Sequence, residues 1–150
     1  MGELSDLEKS ANALRFAAMN LLARREHSRK EVWDKLMRKI EPDKDQLDTV
    51  LNKLVDDDLL SDQRFSEAFV RWRVGKGQGP NRIRVELRER GVDADEVLRV
   101  CGVDWFALVK VVANKRFGGL PAQNLKEKAK RMRFLQYRGF SADHVRTVLK

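Results

Sequence analysis

Two groups of cationic side chains carry the strongest chemical signal in this sequence. Lys126, Lys128, Lys130, Arg131 and Arg133 fall within eight residues, with Arg138 shortly after. Lys76, Arg82, Arg84, Arg88 and Arg90 gather around the segment Gly75-Lys76-Gly77-Gln78-Gly79-Pro80. Such groups bind phosphates or acidic protein surfaces, and their spacing alone does not separate those partners. The candidate binding residues are therefore Lys76, Arg82, Arg84, Arg88, Lys126, Lys128, Lys130, Arg131, Arg133 and Arg138. Aromatics do not interleave with them as on single-strand stacking platforms. Trp33, Phe69, Trp72 and Phe134 lie on or beside apolar stripes and read as core.

Other chemistries find little support. The run Gly75–Pro80 lacks the Lys-Ser/Thr ending of a phosphate loop and misses the G-x-G-x-x-G spacing, so it reads as a break between helices. His27 and His144 each fall at an expected helix boundary, outside any H-E-x-x-H pattern, and suit a cap or surface role. Cys101 is the only cysteine, which excludes an internal disulfide framework, and it reads as a small buried hydrophobe. Asp56-Asp57-Asp58 has no EF-hand spacing. Three acids at a helix C-terminus are electrostatically unfavourable and suggest a surface held for a basic partner. With no paired acid and base and no metal set, neither an enzyme nor a cofactor is expected.

The elements that must position these charges are helical. Leu7, Ala11, Leu14, Ala18, Leu21 and Leu22 step at three or four residues. Ser28 and Glu31 form a capping box that starts a second helix carrying Val32, Trp33, Leu36, Met37 and Ile40, which Pro42 ends. Leu47, Val50, Leu51, Leu54 and Val55 make a third stripe. Phe65, Ala68, Phe69 and Trp72 make a fourth, capped by Ser61 or Asp62. Pro80 suits the first turn of a fifth helix with Ile83, Leu87 and Val85 inward, and Gly91 suits its end. Asp93 and Glu96 suggest another capping box before Val97, Val100 and Cys101, and Asp104 a cap before Trp105, Leu108, Val109 and Val112. Val109–Val112 could also be a strand, but nothing convincing would pair with it. Pro121 precedes a long helix with a core stripe of Leu125, Ala129, Met132 and Leu135, ending at Gly139. Ser141 caps a last helix with Val145, Val148 and Leu149. The expectation is all-α, about nine helices.

An internal repeat organises them. Residues 87–100 read LRERGVDADEVLRV and residues 135–148 read LQYRGFSADHVRTV, with seven of fourteen positions identical. A period near 50 residues implies a tandem array of three-helix units resembling helix-turn-helix modules. The boundaries read as a lead-in at 1–10 and repeats at 11–60, 61–103 and 104–150. Units this small lean on neighbours, so an elongated, curved body is expected. The net charge of +8 is unevenly spread. Residues 1–62 hold 11 basic and 14 acidic side chains, residues 63–104 hold 9 and 7, and residues 105–150 hold 11 and 2. This polarity points to an anionic partner for the last third. No apolar run nears the roughly 18 residues of a membrane helix. The acidic start MGELSDLEK is no secretory signal, and Gly2 lacks the Ser or Thr at the sixth position that myristoylation wants. A soluble cytoplasmic protein with no membrane partner is expected, a monomer being the simplest form.

Four runs of residues resemble one family. They are Ala17-x-x-x-Leu21-Leu22-x-x-Arg25-x-x-Ser28-x-x-Glu31-Val32-x-x-Lys35-Leu36, Leu59-Leu60-x-Asp62-x-x-Phe65, Gly77-x-Gly79-Pro80-x-Arg82-Ile83-x-x-Glu86-Leu87, and Lys130-x-x-Arg133-Phe134-Leu135-x-x-Arg138-Gly139-Phe140-Ser141. In this order they resemble RecX, the bacterial regulator of the RecA recombinase, from about residue 11 onward. One departure is Asp58, where the family often has Gly. Asp tolerates the left-handed conformation, so the departure is minor. The resemblance implies three tandem three-helix repeats and a non-enzymatic inhibitor. Such a protein lies in the groove of the RecA–DNA filament and depresses its extension, ATP hydrolysis, strand exchange and co-protease activity, modulating DNA repair and the SOS response. Direct DNA contact is compatible with it. No catalytic residues carry over; Arg82, Glu86, Lys130, Arg133 and Arg138 belong to the family motifs. The alternative is a stand-alone helical DNA-binding module that would bind duplex without RecA.

Overall fold

A computed structural model describes residues 4–149. Gly2, the start of the 1–10 lead-in and Lys150 lie outside the described residues. Among the described residues there are nine α-helices and no strand. They are α1 (Asp6–Arg24), α2 (Arg29–Ile40), α3 (Lys44–Asp56), α4 (Asp62–Gly75), α5 (Pro80–Glu89), α6 (Ala94–Val100), α7 (Trp105–Phe117), α8 (Leu125–Tyr137) and α9 (Ala142–Arg146). No helix among them is long and apolar enough to cross a membrane. The chain divides into two compact units, and the division falls inside α4. The first runs to Ser66 and includes Arg90–Val92; the second comprises Glu67–Glu89 and everything from Asp93.

In the first unit, the helical stripes converge except at their ends, where Leu7, Ile40 and Val55 are exposed. Leu14 and Ala18 of α1, Val32 and Leu36 of α2, and Leu47, Val50, Leu51 and Leu54 of α3 form one core, joined by Leu60. Each fully buried Leu or Val contributes about 1.5–3 kcal/mol of transfer free energy. Ser28 and Glu31 form the reciprocal capping box. Glu41 ends α2 in the left-handed conformation, φ 51°, immediately before Pro42. Ser61, rather than Asp62, caps α4: its hydroxyl accepts from Arg64 N–H at 3.1 Å. Asp58 adopts φ 59°, the left-handed state expected of it.

In the second unit, Val109 and Ala113 of α7 pack with Leu135, Phe140, Val145 and Leu149. Ile83, Leu87 and Ala94 are fully buried. The internal repeat has a local geometric counterpart. Leu87 and Leu135 occupy equivalent buried positions, and Gly91 and Gly139 follow each at positive φ.

Val109–Val112 is helical, part of α7, whose N-terminus Asp104 caps as expected. Several other expectations fail here. Val85 is 54% exposed; Leu87 and Ile83 already fill the inward arc of a ten-residue helix. Asp93 caps α6 by accepting from Asp95 N–H, without the reciprocal bond from Glu96. Cys101 lies just past the end of α6, half-buried, its thiol donating to the Leu98 carbonyl. Leu125 and Met132 do not form a core stripe, being 83% and 36% exposed. Leu125 opens α8, and a helical side chain covers the turn before its own Cα, which here is absent. Only Leu135 of α8 is fully buried. The stem of Arg131 does part of the packing instead, laying its guanidinium 4.8 Å from the Phe117 ring.

Candidate functional site

All ten candidate cations fall in the second unit, and a backbone tie positions several of them. Gly79 N–H donates to Arg138 O at 2.8 Å, and Asn81 N–H to Gly139 O at 2.9 Å. The first N–H groups of a helix have no intrahelical partner, so the turn after α8 satisfies the start of α5. The approach is very close. A Cβ at Gly79 would stand 2.5 Å from Gly139 C and O, and one at Gly139 2.5 Å from Arg82 Cβ. The glycine break therefore serves contact between two motifs as well as re-aiming the helices.

This tie gathers Lys76 and Arg138. Arg138 Nη1 donates to Lys76 O at 3.1 Å. Together with Lys115 and Arg116 of α7, they line a concavity of about 420 Å³ floored by Val112 and Phe134. The guanidinium groups of Arg116 and Arg138 lie 5.1 and 5.3 Å from the Phe134 ring centroid. Four cations over an apolar floor repel one another and favour an anion. Sequence reasoning missed Lys115 and Arg116, because they end a helix whose signal is mainly apolar.

The structure also corrects the view that aromatics stand apart from the cations. Phe69 is buried, and Trp33 and Phe134 are half-buried, but Trp72 is 52% exposed. Lys76 Nζ lies 4.4 Å and the Arg73 guanidinium 4.6 Å from the Trp72 ring centroid. Tyr137 is 78% exposed, with the Arg82 guanidinium 5.5 Å from its centroid. These are cation–π contacts. Trp72 faces outward because Phe69 and Val70 supply the buried face of α4.

The candidate cations divide by partner. Arg84 and Arg88 share Asp95, at 3.1 and 3.4 Å. Arg82 pairs with Glu86 at 3.3 Å, and the other oxygen of that carboxylate faces Arg73 at 3.1 Å. Arg131 is held internally: it donates to Leu120 O at 2.6 Å and pairs with Glu127 at 2.8 Å. The Gln123 N–H, and then Arg131, hold the Glu127 carboxyl below its usual range. Lys128 is half-buried beside Arg131 in a second concavity. Lys126, Lys130 and Arg133 are exposed, with no ion pair among the described residues. They are the cations of α8 most available to a partner.

The histidines are built into caps. His27 is buried at 2% exposure; its Nδ1 donates to Arg25 O at 3.1 Å, and its Nε2 accepts from Lys35 Nζ at 2.9 Å. Burial, with Arg25 and Lys35 nearby, pushes its pKa below the ordinary value. His144 Nδ1 accepts from Ser141 N–H, closing a capping box in which His takes the usual place of Glu. Burial lowers its pKa too.

Comparison with known proteins shows the family and the fold. Three family models match in order: RecX, first three-helix domain, over residues 15–54; second three-helix domain, over 61–98; and third three-helix domain, over 103–149. The chain is 47% identical over 147 residues to Regulatory protein RecX of Halorhodospira halophila (strain DSM 244 / SL1), covering 95% of this chain and 90% of that protein. It is 42% identical over 141 residues to Regulatory protein RecX of Ectopseudomonas mendocina (strain ymp), covering 92% and 93%. The crystal structure of RecX from Lactobacillus salivarius superposes with TM-score 0.73 at 28% identity, covering 93% of this chain and 94% of that one. A second RecX crystal structure gives TM-score 0.78 at 21% identity, covering 97% and 79%, which supports the fold alone.

Proposed function

Because the chain belongs to the RecX family, we propose that it is a non-enzymatic regulator of the RecA recombinase, acting in the cytoplasm as a monomer. It binds the RecA–DNA filament in its helical groove. There it blocks extension and so depresses ATP hydrolysis, strand exchange and co-protease activity, modulating repair and the SOS response. The modules 11–60, 61–103 and 104–150 each contribute to that contact. The observation that carries the reading is the charge distribution together with the state of the individual cations. The last third holds 11 basic against 2 acidic side chains. Within it, Lys126, Lys130 and Arg133 have no ion pair among the described residues to break before meeting acidic RecA surface or exposed phosphates. Lys76, Arg138, Arg82, Arg84 and Arg88 extend the basic face, the last three after exchanging their intramolecular partners. Lys128 and Arg131 support α8 more than they present charge. The acidic stretch Asp43–Asp62 meets a basic RecA surface.

The test is RecA ATPase on single-stranded DNA at substoichiometric ratios of this protein. Lys126, Lys130 and Arg133 changed together to Glu are expected to weaken inhibition at least tenfold in the concentration required. Equal inhibition by wild type and variant would remove this cluster from the mechanism. Arg131 is left in place because its loss would disturb α8 itself.

A further inference from the structure

We propose that one face of α8 binds single-stranded nucleic acid directly, with Tyr137 stacking against an unpaired base and Lys126, Lys130 and Arg133 tracking the phosphates. At 3.6 residues per turn, these four side chains fall within an arc of about 60°. Their steps along the axis are about 6, 4.5 and 6 Å, within reach of successive phosphates for flexible Lys and Arg arms. All four are exposed, and the fully buried Leu135 marks the opposite side of the helix. The three cations carry no ion pair among the described residues, so binding phosphate costs no intramolecular partner.

Tyr137 separates this stripe from an ordinary solvated face. A large aromatic 78% exposed at the end of a cationic row presents a free π face where a polar side chain would present none. The Arg82 guanidinium backs the ring at 5.5 Å and draws on its electrons. Most of the ring remains in solvent, so a base can stack on it with Arg82 behind. Cations along the backbone plus an aromatic for the bases is the chemistry of single-strand binding. A duplex keeps its bases stacked inside and offers nothing to the ring. An acidic protein face would engage the cations and use the tyrosine through its hydroxyl or its bulk, which Tyr137→Phe and Tyr137→Leu separate from stacking. This proposal does not rest on the RecA reading, and its test contains no recombinase.

The experiment is fluorescence anisotropy of a labelled oligo-dT, and of a duplex of equal length, titrated with the full chain at several salt concentrations. Wild type is expected to prefer the single strand. Tyr137→Phe should bind within about twofold of wild type. Tyr137→Ala and Tyr137→Leu should each lose roughly 5- to 150-fold, the range for one stacked base. Lys130→Gln and Arg133→Gln should each flatten the salt slope by about 0.7. Thermal melts of the variants guard against misfolding, and Leu keeps bulk and apolarity while lacking a π face. Four results overturn the proposal: no binding of single strand, equal binding of duplex, a Leu variant as good as Phe, or loss of binding in Phe itself. Displacement of the oligonucleotide by polyglutamate, with Tyr137 indifferent, would assign the face to an acidic protein instead. Inhibition of RecA could survive any of these outcomes, so the two proposals fail separately.

Discussion

Protonating His27 would force Lys35 out of its hydrogen bond. The imidazole Nε2 accepts from Lys35 Nζ, while Nδ1–H is spent on Arg25 O. A second ring proton leaves no acceptor and places a cation beside two others. The folded-state pKa therefore lies below the ordinary 6.5, through burial first. The unfolded chain takes up the proton at higher pH than the folded one. Stability is then fully present above about pH 6.5 and is lost as pH falls through the folded value. His144 works in the same direction, since its Nδ1 accepts within a capping box. Denaturant unfolding between pH 7.5 and 5 should show this loss. The double variant His27→Gln, His144→Gln should flatten the profile, and an unchanged profile would exclude both rings. Asp58 makes a further point. Its φ of 59° carries a left-handed cost of about 1–2 kcal/mol for an ordinary residue, less for Asp. Its ion pair to Arg64, at 2.9 Å with Asp58 84% exposed, is worth little. Asp58→Gly should raise the unfolding free energy by up to about 1 kcal/mol. A loss measured by urea denaturation would mean that the Arg64 contact dominates.

At the scale of elements, legibility followed what decided each feature. Caps are local chemistry. Ser28, Asp104 and Ser141 could be read because a side-chain oxygen three residues from an orphan N–H suffices. The core of α1, α2 and α3 was legible because its apolar residues keep strict helical spacing. The face of α8 was not, because Arg131 packs by its stem and Leu125 falls on a helix end, and periodicity weighs neither. Nor was the exposure of Trp72 and Tyr137, since composition treats an aromatic as core. Partner choice was equally hidden: nothing in sequence tells that Asp95 takes Arg84 and Arg88 while Lys126 has no ion pair among the described residues. The Gly79–Gly139 contact is the clearest case. Two glycines sixty residues apart look like separate breakers until their backbones meet. Gly139→Ala must place a Cβ 2.5 Å from Arg82 Cβ at φ 103°, which should cost about 2–4 kcal/mol. Gly75→Ala, with nothing within 4 Å, is the control and should be neutral or slightly stabilising. Equal melting temperatures for the two variants would refute the close packing of the tie.

At the scale of the whole molecule, the issue is whether the net charge of +8 or its placement matters. Screening gives a charge a reach of about 8 Å at physiological salt. A partner therefore meets local patches, not the total. Residues 1–62 are net acidic, with 14 acidic against 11 basic side chains. Asp45 and Asp56 are exposed there, with no ion pair among the described residues. Changing both to Lys raises the net charge while leaving the α1–α3 core untouched. Asp45→Lys costs about 0.3–1 kcal/mol at the start of α3, and Asp56→Lys recovers a similar amount at its end. If net positive charge alone drives binding to a RecA–DNA filament, this variant inhibits the ATPase better than wild type. If the acidic first third meets a basic RecA surface, the same variant inhibits worse despite its greater positive charge. The second outcome is expected, and it should be most pronounced at low ionic strength, where unpaired surface charges act furthest. Stronger inhibition would reduce the polarity to an accident of composition and leave the basic last third as the whole of the binding surface.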